Sequence, residues 1–166
     1  MARVLVLGYG NTLRGDDGAG WLAAEALRSA SNGDVDVRAI HQLGPELAVD
    51  VAAAPAVVFV DASVAGPPGQ VAMREVGQAS PAMGLTHHVP PAAVMDLAEE
   101  LYGVRPPAWE VAISGASFAL GEGLSPAVAA RIPALVALVG RLARFLRESR
   151  SLGPAEARIV SGSHTQ

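Results

Sequence analysis

LGYGNTLRGDDGAG, residues 7–20, leaves an apolar strand through closely spaced glycines and sets two adjacent carboxylates, Asp16 and Asp17, at the mouth of the next helical pattern. Glycine-rich turns after a first strand usually cradle phosphate, because backbone N–H groups and the positive end of the helix attract anions. Two carboxylates in that place repel one. The dinucleotide pattern G-x-G-x-x-G fails at Leu13, and the second apolar run ends in Ile40 and His41 where an acid is needed. Gly10 and Gly15 have P-loop spacing, but Asp16 and Asp17 follow where Lys and Ser/Thr belong. The turn is built for something other than phosphate.

On either side of this turn, short apolar runs alternate with longer helical patterns, which is the signature of an α/β domain. Strands are expected at 3–7, 35–40, 56–60, 70–76 and 109–114, and helices at 18–30, 45–53, 90–102 and 126–147. The first helix offers Trp21, Leu22, Ala24, Ala26 and Leu27 as an apolar face. The last offers a stripe of Leu135, Leu138, Val139, Leu142, Phe145 and Leu146. The turn Gly66-Pro67-Pro68-Gly69 is too short for a parallel crossover, so the fourth strand should pair antiparallel at an edge. Residues 1–150 therefore read as one α/β domain with about five strands, mostly parallel. Residues 151–166, small and polar, read as a disordered tail.

Composition narrows the chemistry. With 51% apolar and 17% charged residues in 166, the chain has enough apolar surface for a real core. No apolar run approaches a membrane span and no leader pattern precedes the first strand, so a cytoplasmic location without membrane insertion is expected. There is no cysteine, which excludes disulfides, thiolate nucleophiles and sulfur-bound metals. All twelve basic residues are arginine, which excludes Schiff-base chemistry. A net charge of −4 without basic blocks gives no reason to expect nucleic acid. Any site must use carboxylates, histidines, hydroxyls and backbone.

In a parallel α/β sheet functional groups collect at the carboxyl ends of strands, and Asp17 and Asp61 follow the first and third. The first histidines able to join them are His87 and His88, just ahead of the Pro90-Pro91 helix start. Two carboxylates and one imidazole without sulfur suit a borderline divalent ion with open coordination positions. Simpler roles compete: one acid of the pair as a helix cap, Asp61 as a turn former, His88 as a neighbour of the ligand. Gly115-Ala116-Ser117-Phe118-Ala119 is a loose nucleophile-elbow look-alike, but no aspartate follows Asp96 and the only later histidine is His164.

GYGNTLRGDDGAG resembles the amino-terminal signature of the hydrogenase maturation proteases, endopeptidases that remove the carboxyl-terminal extension from the large-subunit precursor of nickel-iron hydrogenases. Gln42-Leu43-Gly44-Pro45-Glu46-Leu47, Val58-Phe59-Val60-Asp61-Ala62, Thr86-His87 and Gly121-Glu122-Gly123-Leu124-Ser125-Pro126 follow in family order, so the likeness spans residues 2–146. The resemblance implies a three-layer α/β/α domain with a mixed sheet, and Asp17, Asp61 and His87 as the catalytic, metal-binding set. It implies nickel delivered with the substrate precursor and not resident in the enzyme. Leu85 departs from the family, which often has a hydroxyl residue there. Gly10, Asn11 and Asp16 are expected to contact substrate: Asn11 and the glycine-loop N–H groups by positioning the chain or steadying an oxyanion, Asp16 as a water activator or as a cap. A resident-metal amidase or peptidase with another substrate, and a non-catalytic sensor of nickel loading, are the alternative readings.

Overall fold

The computed structural model describes residues 2–79 and 89–151. Its strands are β1 (Val4–Tyr9), β2 (Val35–Ile40), β3 (Val57–Ser63), β4 (Val71–Glu75) and β5 (Ala108–Ser114). They form one sheet in the order β2-β1-β3-β5-β4. The first four in that order run parallel, and β4 closes one edge antiparallel to β5, from Val71 opposite Ile113 to Glu75 opposite Trp109. The short Gly-Pro-Pro-Gly connection dictates that pairing, as expected.

Strand alternation sends the core to both faces. Val4, Val6, Val58, Val60, Val111 and Ile113 pack under α1 (Ala19–Ala30) and α5 (Ile132–Ser151). Leu5, Leu7, Tyr9, Val57, Phe59 and Ala108 pack under α2 (Ala48–Ala53) and α3 (Pro91–Tyr102). The result is the three-layer α/β/α architecture. No helix among the described residues is long and apolar enough to cross a membrane.

The first helix buries a different face from the one its large side chains suggest. Ala19, Gly20, Ala23 and Ala24 point inward, while Trp21 and Leu22 are half-buried and Ala26 is exposed. The cause is a backbone contact. A Cβ on Gly20 would lie 2.3 Å from the Val60 carbonyl oxygen and 2.5 Å from that of Tyr9, and one on Gly8 would lie 2.2 Å from the Gly20 oxygen. Only small residues fit at that separation. The amino end of α1 is thereby drawn down between the carboxyl ends of β1 and β3.

The expected single helix over 126–147 is two. A one-turn α4 (Pro126–Ala129) precedes α5. Pro133 has no N–H for the Ala129 carbonyl and its ring would clash with it, so the helix stops and restarts with Pro133 in its first turn. On α5, Leu135, Val139, Ala143 and Leu146 are buried, whereas Phe145, assigned to the stripe, is 62% exposed. The tail from residue 152 lies outside the described residues.

Helix α3 ends at Gly103 in the left-handed conformation (φ 69°), and residues 104–107 lead directly into the start of β5. Its carboxyl end therefore lies at the amino edge of the parallel strands. Its amino end, at Val89 and Pro90, lies about 18 Å away, toward the edge where β1 and β3 finish.

Candidate active site

Beyond Tyr9 the chain turns at Gly10, whose φ of 144° and whose hypothetical Cβ, 1.8 Å from the Asp17 carbonyl oxygen, admit no side chain. The next residues fold back through Arg14 N–H to Asn11 O (3.0 Å) and Asp17 N–H to Arg14 O (3.2 Å), forming the 3-10 turn Gly15–Gly18. Asp17 is half-buried, and its Oδ2 accepts the Asn11 N–H at 2.8 Å. Asn11 Oδ1 in turn accepts the Leu13 N–H at 2.9 Å. One oxygen of Asp17 is thus fixed by the loop and the other has no hydrogen-bond donor among the described residues.

Asp61 lies inside β3, which runs to Ser63, three residues beyond the end expected at Val60. It shares a face with Val57 and Phe59, which brings it beside Tyr9 at the end of β1. The Tyr9 hydroxyl donates to its carboxylate, and the Ala62 N–H donates to Oδ1 at 2.7 Å. Burial pushes the Asp61 carboxyl up to about 7; those two donors oppose the rise, and the negative charges of Asp17 and Glu110 add to it. The Tyr9 phenol is raised in turn, mainly by burial and then by the Asp61 charge. Glu110, on the same face of β5, takes Arg74 from β4 through Nε at 2.6 Å and Nη2 at 2.5 Å.

Asp16 and Asp17 are neighbours with opposite fates. Asp16 has no exposed surface and does not cap its own turn. Its Oδ2 accepts N–H groups from Ala116 (2.7 Å) and Ser117 (3.0 Å) and the Ser125 hydroxyl (2.8 Å), and its Oδ1 accepts the Ser125 N–H (2.7 Å). Burial alone would raise its carboxyl, but the donors from Ser125, Ala116 and Ser117 outweigh it and hold it below the ordinary value. The expected cap or substrate contact is therefore a latch that ties the turn to the 115–125 loop. Gly10, also assigned to substrate, is buried, and its N–H goes to Ile40 O at 3.3 Å. Of the three residues given that role, only Asn11 keeps a donor, its amide nitrogen, without a partner among the described residues.

The fold thus brings Asp17 and Asp61 together, close enough for the charge of one to raise the other. His87 and His88 lie outside the described residues. Among those described, no three His, Asp or Glu side chains converge as a metal cluster. Beside Asp61 a cleft of about 480 Å³ opens over β3, β5 and β4, lined by Ala62, Ser63, Val64, Ala72, Ala112 and the Arg74–Glu110 pair. Paired carboxylates beside a trough of small residues can hold a cation next to an extended peptide. Tyr9 and Glu110 escaped the sequence reading. The period-2 alternation that places Leu5 and Leu7 on one face would have placed Tyr9 there had the first strand been carried two residues further.

No family model and no curated protein matches the chain by sequence; solved structures do. The hydrogenase maturating endopeptidase HybD from E. coli superposes with a TM-score of 0.70 at 28% identity, covering 89% of this chain and 93% of that one. The [NiFe] hydrogenase maturation protease HycI from Thermococcus kodakarensis gives 0.69 at 26%, covering 88% and 93%. A second solved endopeptidase from Escherichia coli gives 0.64 at 27%, covering 89% and 93%. Over most of its length, in fold and in sequence, this chain is similar to solved hydrogenase maturation proteases, which are endopeptidases.

Proposed function

We propose that this protein removes the carboxyl-terminal extension of a nickel-loaded hydrogenase large-subunit precursor, gripping the precursor's own nickel through Asp17, Asp61 and His87. The observation that carries the reading is the state of Asp61. A carboxyl with its ionisation opposed by burial and by two neighbouring negative charges gains most when a dication arrives between it and Asp17. His87 supplies the third donor. In the sequence it stands two residues before Val89, just ahead of α3. Three protein donors leave the precursor's own ligands in place on the nickel, so the ion acts as part of the substrate and marks which precursors are ready.

Hydrolysis adds one water across the peptide bond, oxygen to the carbonyl carbon and a proton to the leaving amine. With no cysteine in the chain, and with no aspartate and only His164 following Ser117 as triad partners, water attacks directly. Docking fixes the scissile bond against the cleft, which removes much of the entropic part of the barrier. The Asn11 side-chain amide, close to Asp17 in the same turn, is the donor available to steady the developing oxyanion. Purified protein incubated with nickel-loaded and nickel-free precursor should release the extension only from the loaded form, read by mass. Cleavage of neither form overturns the assignment, and equal cleavage of both overturns the nickel grip.

A further inference from the structure

The two loops that Asp16 latches together each carry an aliphatic side chain on the outer surface: Leu13 is 55% exposed and Leu120 is 87% exposed. Their backbones are stitched side by side, with Gly121 N–H to Leu13 O at 2.9 Å, Gly15 N–H to Gly121 O at 3.0 Å and Asp16 N–H to Ser117 O at 3.0 Å. Beneath them lie the four bonds of the Asp16 carboxylate. A leucine on a slack loop folds onto its own chain; these two are presented by a backbone that is fastened on both sides. The same turn continues into the site, since Leu13 N–H binds Asn11 Oδ1 and Asn11 N–H binds Asp17.

We infer that Leu13 and Leu120 form an apolar docking surface for the folded body of the protein substrate, continuous with the carboxylate pair that grips its nickel. This rests on the function proposed above. A stable interface takes about 800 Å² from each partner, far more than two leucines supply. The patch therefore adds to contacts made by the cleft and the carboxylates, which suits a substrate held at all three places and does not suit a second copy of this chain held at this one.

The test is steady-state cleavage of nickel-loaded precursor by Leu13→Ser/Leu120→Ser, with the thermal midpoint as a folding control. We expect KM to rise about tenfold, as for losing one interface anchor, with kcat and midpoint unchanged and with Leu120→Met close to wild type. An unchanged KM, or a loss confined to kcat, overturns the docking surface while leaving the protease assignment intact. A wild-type dimer that the double variant converts to monomer assigns the patch to self-association and also overturns it. If wild type cleaves neither precursor, the proposed function falls and the docking surface falls with it.

Discussion

Replacing Asp16 tests how the site is held. Its carboxylate accepts four hydrogen bonds from Ala116, Ser117 and Ser125, about a hundred residues away in sequence, and none of its surface reaches water. Bonds to a charged acceptor contribute about 1.5–3 kcal/mol each. Their sum overstates the loss, because Ala116 and Ser117 are exposed and their N–H groups would find water once released. The two bonds from half-buried Ser125 account on their own for about 3–5 kcal/mol, the more suitable figure for Asp16→Ala. At about 2–4 °C per kcal/mol for a chain of this size, the melting midpoint at pH 7 should fall by about 6–20 °C. Asp16→Asn keeps the shape but turns an amide nitrogen toward an N–H donor in either orientation, so it should recover only part of that loss. The acid limb gives a second reading. The folded carboxyl lies below its ordinary value of 3.8, so its contribution is complete above 3.8 and is lost as pH falls through the lower folded value. Thermal melts of wild type and Asp16→Asn from pH 7 to pH 2 should therefore converge at the acid end. A midpoint for Asp16→Ala within about 2 °C of wild type at pH 7 would refute the latch.

Asp61→Asn should abolish cleavage while raising the midpoint at pH 8. Its folded carboxyl sits at about 7 against 3.8, so the protonated form is favoured in the fold and ionisation above pH 7 opposes folding. At about 1.4 kcal/mol per unit the gain is at most about 4 kcal/mol, less for the part of the side chain open to solvent. It should vanish below pH 4, and a variant no more stable than wild type at pH 8 would remove the electrostatic argument. Gly20→Ala and Gly140→Ala form a pair. Both add a good helix former, but a Cβ at Gly20 meets the Val60 carbonyl oxygen at 2.3 Å, whereas at Gly140 it meets only Leu27 Cδ1 at 3.3 Å. Thermal melts should show Gly20→Ala destabilised by about 1–3 kcal/mol or more and Gly140→Ala within about 1 kcal/mol of wild type; the reverse order would contradict the close approach of α1 to the sheet.

What the sequence made legible was whatever local chemistry determines. Four residues of tight turn force β4 antiparallel, and that followed from Gly66 to Gly69 alone. The nomination of Asp17 and Asp61 needed only their places after apolar runs. Pro133 carried a readable signal too, since a proline eight residues into a proposed helix contradicts a continuous one. The length of β1 was different in kind. Tyr9 extends the strand because Ile40 of β2 lies opposite it, a partner thirty-one residues distant that no local propensity announces. Asp16 is the extreme case. Beside Asp17 it has the same charge, the same neighbours and the same claim to a cap or a ligand, and only the arrival of the 115–125 loop separates the two roles. The resemblance to the protease family already held both halves of that latch, in GDDG and in GEGLSP, as two segments of a list. Gly15 N–H reaches Gly121 O and Ser125 donates twice to Asp16, so the segments are one structure. A buried carboxylate with both oxygens engaged is well suited to holding its half-buried neighbour still, and it is Asp17, one residue on, that the proposed nickel grip requires to be still.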